Sequence, residues 1–123
     1  MSTFTLTLPT TDLHNSNHRG HWSIKSRKRA AIREAARRAA VDLEPITGPV
    51  DLVVTFAFPD RRGRDLDNVE IKGAIDGAVD AGAISDDRRQ VLRSITRRSA
   101  EALSPRGYAV LTFDFRPVGE GVS

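Results

Sequence analysis

The change of apolar period along the chain constrains its fold more than any other feature. Phe4, Leu6 and Leu8 alternate with Thr3, Thr5 and Thr7, the period of a half-buried strand, and Pro9 ends it. From about Ser23 to Leu43 the period lengthens, with Ile32, Ala35, Ala36, Ala39 and Leu43 at helical spacing before Pro45 and Gly48-Pro49 stop it. Val50 to Phe58 returns to β-branched and aromatic residues and closes at Pro59-Asp60. A second helix is expected from about Asn68 to Ala81, with Val69, Ile75, Ala78 and Val79 as its apolar side and Gly82 as its stop. Tyr108 to Phe115, after the turn signal Ser104-Pro105-Arg106-Gly107, reads as the last strand. Asp86 to Leu103 fits two periods: Val91, Leu92, Ile95, Ala102 and Leu103 suit a helix, while Val91, Ile95 and the spaced arginines suit a twisted strand.

These elements predict one α/β (α+β) domain, a mixed sheet of about four strands with two main helices and a closing hairpin. At 123 residues the chain is expected to be a single domain over 1–123, with an ordered core at about 3–116 and a short flexible C-terminal tail. Hydrophobic residues at 39% and charged residues at 28% are too apolar a mixture for a disordered chain. The absence of cysteine excludes disulfide scaffolds, thiolate zinc sites, iron–sulfur clusters and cysteine nucleophiles. The first residues lack a basic n-region with a long apolar run, and Leu52 to Phe58 is too short to cross a bilayer, so a cytoplasmic protein with no membrane partner is expected. No Walker loop or dinucleotide fingerprint occurs, so no small-molecule cofactor is expected either, and without a Gly-x-Ser-x-Gly elbow Ser/His/Asp catalysis has no supporting motif.

Charge lies in blocks. Between Arg19 and Arg38 there are eight basic residues and one acid, Glu34, and Lys25, Arg29, Arg33 and Arg37 fall four apart, in one stripe of the first helix. From Asp65 to Asp87 the balance reverses, with seven acids against the single base Lys72. Arg88, Arg89, Arg93, Arg97 and Arg98 then return it to positive. An acidic cluster framed by arginines suits a polyanion-binding protein with a metal-dependent site, although each block by itself is also what a solvated face looks like.

Chemistry concentrates in Arg64-Asp65-Leu66-Asp67-Asn68, followed by Lys72, Asp76 and Asp86-Asp87. If the first stretch is extended, Asp65 and Asp67 point the same way and present two carboxylates to one point, with Asp86 or Asp87 supplying a third. Oxygen ligands without sulfur select Mg²⁺ or Mn²⁺, an ion suited to phosphodiester hydrolysis. Lys72 is one of only three lysines in a chain that otherwise uses arginine, and its compact ammonium suits charge developing on a phosphate. Plainer roles compete. Asp67 and Glu70 have capping-box spacing, Lys72 can pair with Asp76 one turn on, Asp76 and Asp80 can be solvated, and Asp86-Asp87 can be an acidic turn. His14, His18 and His21 lack zinc-protease spacing and read as loop groups or DNA contacts, and Trp22 as a packing anchor. A metal-dependent nuclease and a non-catalytic nucleic-acid binder both fit these residues.

The run Arg64-Asp65-Leu66-Asp67-Asn68, then Lys72, Asp76, Ala81-Gly82 and Asp86-Asp87, resembles the signature of the RusA family of Holliday junction resolvases, and the order of elements agrees over roughly residues 3 to 115. Asn15 or Asn17, with His21-Trp22, is similar to that family's asparagine-bearing N-terminal loop. The resemblance implies a small α/β homodimer that binds four-way DNA junctions and cuts them symmetrically with Mg²⁺. It maps Asp65, Asp67 and Asp87 onto metal-binding catalytic carboxylates and Lys72 onto the essential lysine, and it favours a strand for Val91 to Ser99. Asp86 is the neighbouring candidate ligand. The chain departs from the family in a spacing one residue longer between Asp67 and Lys72, and in Thr10-Thr11-Asp12 where proline-serine is usual. Lys25, Arg29, Arg33 and Arg37, with Arg61, Arg62 and Arg64, are the expected phosphate contacts. A nuclease for other branched DNA, and a junction-binding protein that does not cut, are the alternatives.

Overall fold

A computed structural model of the chain describes residues 2–13 and 22–118, the side chains of 22–24 excepted. His14, Asn15, Asn17, His18, Arg19, His21, the Trp22 side chain and the tail from 119 lie outside the described residues. The fold is α+β: β1 (Ser2–Pro9), α1 (Trp22–Ala40), β2 (Val50–Ala57), α2 (Lys72–Asp80), β3 (Leu92–Ser99) and β4 (Tyr108–Pro117), with 3-10 turns at Thr10–Asp12 and Leu66–Asn68.

The four strands form one mixed sheet in the order β1-β4-β2-β3. β4 runs antiparallel to both β1 and β2, and β3 runs parallel to β2. Here the expected closing hairpin is corrected. A parallel neighbour requires a crossover, which α2 provides, so β3 lies at the sheet edge and β4 inserts on the other side of β2. The ambiguous stretch resolves as strand, and its exposed arginines suit an edge that must not pair with another chain.

Register brings the inward-facing residues into rows. Phe4, Phe113 and Val54 line up across β1, β4 and β2, as do Leu6, Leu111 and Phe56. The Phe4 and Phe113 rings stack with centroids 4.8 Å apart, and Phe113 and Phe115 are fully buried. Ile32, Ala36 and Ala40 of α1 and Ala74, Ile75 and Ala78 of α2 cover this face. On β3 the same parity falls on Ile95, Arg97 and Ser99, the partners of Leu52, Val54 and Phe56, so the row of Phe4, Phe113 and Val54 ends in a cation rather than an apolar side chain.

Both helices differ from expectation at their ends. α1 stops at Ala40 rather than Leu43, and α2 begins at Lys72 rather than Asn68 because the preceding residues form the 3-10 turn. The predicted stop at Gly82 holds. Gly82 has φ +81°, and the Ala83 N–H reaches back to the Ala78 carbonyl, which closes a Schellman cap.

The two helices approach closely because α2 presents glycine to α1. A Cβ on Gly77 would lie 2.3 Å from the Arg33 carbonyl oxygen and 2.6 Å from the Ala36 Cβ, and one on Gly73 would lie 2.8 Å from the Arg29 carbonyl oxygen. Alanine would gain about 1 kcal/mol of helix propensity at either position. At Gly77 the obstacle is backbone that cannot swing aside, so overpacking outweighs that gain. Gly77→Ala is expected to lower unfolding stability by ~1–3 kcal/mol in urea titration, with Gly73→Ala losing less.

Candidate functional site

The connection from β2 to α2 starts with an acid that organises arginines. Asp60 accepts from the Arg62 backbone N–H at 3.0 Å and from Arg64 Nη1 at 2.8 Å. Arg64, then Arg62, hold its carboxyl well below the usual carboxylate range. Arg64 is folded against the protein with its guanidinium 4.2 Å over the Phe58 ring. Of the three arginines predicted on this loop, Arg61 alone is exposed with no side-chain partner among the described residues.

The following Asp65-Leu66-Asp67-Asn68 is not extended, which corrects the expected alternation. Asp65 is the cap of a 3-10 turn. One of its oxygens accepts from the Asp67 N–H at 3.2 Å and the other from Asn68 Nδ2 at 2.8 Å. An aspartate before a polar turn can satisfy the turn's own amides, and here it does so at the expense of strand geometry. The capping box from Asp67 to Glu70 is also absent. Glu70 instead accepts from the Lys72 N–H at 2.8 Å, satisfying a donor that opens α2, while its other oxygen accepts from Arg29 at 2.9 Å. Asp67 is exposed and has no side-chain partner among the described residues.

Lys72 opens α2, a position where the helix dipole disfavours a cation. Two carboxylates offset this. Its Nζ donates to Asp76 Oδ1 at 3.0 Å and to Asp87 Oδ2, and the Asp87 bond, followed by the Asp76 bond, raises its pKa. Asp87 gets there because the chain after Gly82 turns back along α2, burying Ala83 and Ile84 on the way. The two candidates Asp86 and Asp87 part company. Asp86 accepts from its own turn's Asp87 and Arg88 amides and from Arg88 Nε at 2.6 Å, and the Arg88 bond lowers its pKa. Asp87 alone faces Lys72.

The carboxylates suit a hard divalent ion by chemistry, since all donors are oxygen and Asp67 is unengaged. Among the described residues, however, no group of three or more His, Asp or Glu side chains converges as a ready metal cage. Asp65 is engaged by its turn and Asp87 by Lys72.

A residue without a role in the sequence reading holds this connection to the sheet. Arg97 Nη1 donates to the Leu66 carbonyl at 2.8 Å and to the Val69 carbonyl at 2.7 Å. Its signal was parity: once 92–99 is a strand, half-buried Arg97 lies on the same sheet face as its partner Val54 and its donors need acceptors there. Arg97→Met should cost about 2 kcal/mol or more, the scale of bonds to a charged donor, and speed amide exchange at Asn68 and Val69, measured by hydrogen exchange.

The α1 stripe is largely engaged. Arg29 pairs with Glu70, Arg33 makes two bonds to Asp80 at 2.6 and 2.9 Å, and Arg37 makes two to Glu34 at 2.6 and 2.9 Å. Lys25 also has an interaction within the protein. Arg37, then Arg38, lower the Glu34 pKa from 4.5 to about 2. Its pairing therefore stabilises the fold fully above about pH 4.5 and is lost as pH falls toward 2. The Tm difference between the wild type and Glu34→Gln should be open above that range and close as acid approaches the lower value, by thermal melts across pH.

No helix among the described residues is long and apolar enough to cross a membrane. In comparisons with known proteins, no family model and no curated protein matches this chain.

Proposed function

We propose that this chain is a Mg²⁺-dependent, structure-selective endodeoxyribonuclease that resolves four-way DNA junctions as a homodimer, the reading its RusA-like motif implies. The observation that carries it is the Asp76–Lys72–Asp87 cluster, a cation held by two acids at the start of the helix that follows the Asp65–Asn68 turn and its exposed Asp67. Such a cluster has no need to exist for packing, since Lys72 is half exposed.

In this reading Asp65, Asp67 and Asp87 would hold the ion, with Asp86 nearby. The chemistry Mg²⁺ supplies when bound is polarisation of a phosphoryl oxygen and a more acidic attacking water. Lys72 acts as a fixed charge. A lysine ammonium is protonated at neutral pH, so it neutralises charge on the phosphate rather than taking a proton. Arg61 contributes a phosphate contact, and the arginines already paired on α1 contribute to a positive field more than to direct bonds. Two-fold pairing of protomers matches a junction that needs two symmetric nicks.

The test is cleavage of a labelled four-way junction beside a linear duplex, in Mg²⁺ and in chelator. Paired nicks confined to the junction and dependent on the metal are expected. Asp67→Asn should abolish cutting and leave junction binding, and Lys72→Ala should lower cutting by about 10²–10³-fold. Equal cleavage by Asp67→Asn would remove the site assignment. Tight binding without any nick in Mg²⁺ or Mn²⁺ would instead favour the junction-binding alternative, and cutting of flaps or forks a broader nuclease.

A further inference from the structure

Beyond the carboxylates, the loops leaving β2 and β3 enclose a cavity of about 340 Å³. It opens at the carboxyl ends of two adjacent parallel strands, where diverging connections leave a crevice. Its volume is at the small end of ligand sites, about 300 Å³ and upward. Its lining is not that of a packing defect, because Asp60, Arg61, Arg62, Arg64 and Glu101 all contribute to it.

Three features define what would fit. First, there is a layered flat surface: the Phe56 and Phe58 rings stack 6.3 Å apart, and the Arg64 guanidinium lies over Phe58. Asp60 holds that guanidinium through both amino groups, at 2.8 and 3.3 Å, so its plane is set before any ligand arrives. Second, the cations are unequal. Arg62 and Arg64 share the single carboxylate of Asp60, while Arg61 has no side-chain partner among the described residues and is the guanidinium most open to an anionic group. Third, Arg64 and Leu66 line the cavity and Asp65 and Asp67 do not, so an occupant lies one residue away from the candidate carboxylates.

A flat π-system next to a single anion is the chemistry of a nucleotide. We infer that this cavity is a nucleotide subsite, with the base stacked on the Arg64–Phe58 layer and its phosphate on Arg61. Guanidinium planes and aromatic rings are the usual platforms for unstacked bases, and a stacked base tolerates sequence variation. A free phosphate is a poorer match, since it would leave the Phe58 and Arg64 layer without a partner. The inference rests on the proposed action on DNA only for the polymer that supplies the nucleotide. It places one unpaired nucleotide of the substrate beside the acidic turn.

The experiment is an amide-shift NMR titration of the full ¹⁵N-labelled chain with each deoxynucleoside monophosphate, without metal. Deoxyribose 5-phosphate and inorganic phosphate serve as controls. Saturable shifts in 61–66 and 99–103 are expected with nucleotides and not with the controls. Arg64→Lys keeps the charge and loses the plane, and should weaken binding about tenfold. Arg61→Ala, at an exposed position without a side-chain partner among the described residues, should weaken nucleotide binding. No saturable shift in these segments, an equal response to phosphate alone, or unchanged binding by a folded Arg64→Lys would overturn the subsite. Junction cleavage without nucleotide shifts would reject this cavity and keep the nuclease, whereas shifts in a chain that cuts nothing would do the reverse.

Discussion

The near contact of α1 and α2 is the constraint on which the rest of this structure depends. A helix of nine residues does not form by itself in water, so α2 exists because of what it packs against. Glycine at 73 and 77 lets its backbone approach that of α1 to within a distance no side chain would allow. Ion pairs flank the crossing, Arg29–Glu70 at the start of α2 and Arg33–Asp80 at its end. These surface pairs add little energy individually, and it is the side of α2 carrying Gly73 and Gly77 against α1 that sets its rotation. That rotation buries Ala74, Ile75 and Ala78 and leaves Lys72 and Asp76 on the side that meets Asp87.

The sheet positions the other half of the site. Because β2 and β3 run parallel, the connection between them must cross over, and its first part leaves at the carboxyl end of β2. The turn at 65–68 has little apolar burial of its own, and Arg97 ties it to β3 through two carbonyls. A single inward-facing cation thus couples the edge strand to the acidic loop. On the opposite side of that loop Arg64 lies on Phe58, which gives the same short segment an acidic side and a cationic, aromatic side.

Much of the fold was legible because strand and helix periods differ. The alternation at 3–8, the β-branched run from Val50 and the final strand each reappear within a few residues of their expected limits, and Gly82 ends α2 where its lack of a Cβ suggested. The start of α2 was less legible. Asp67 and Glu70 carry capping-box spacing, yet Asp65 captured the turn first, and two local hydrogen-bonding schemes separated by so little energy cannot be ranked from residue types. Among the candidate residues, the pairing of Lys72 with Asp76 follows from helical spacing, whereas its bond to Asp87 depends on a segment folding back after the helix.

The sequence by itself determined every main element type except that of the strand at 92–99, together with the clustering of acids between arginine-rich blocks and the polar character of any site, because these depend on period and composition. Only the tertiary structure decided which charges neutralise one another. Arg29, Arg33 and Arg37 read as a stripe open to phosphate, but two of their acidic partners lie more than forty residues away and are brought in by the helix crossing. The same holds for Arg97 and for the cavity between the β2 and β3 loops. Local spacing encodes which face a side chain occupies, and its partner across that face is set by packing between elements that the chain connects only at a distance.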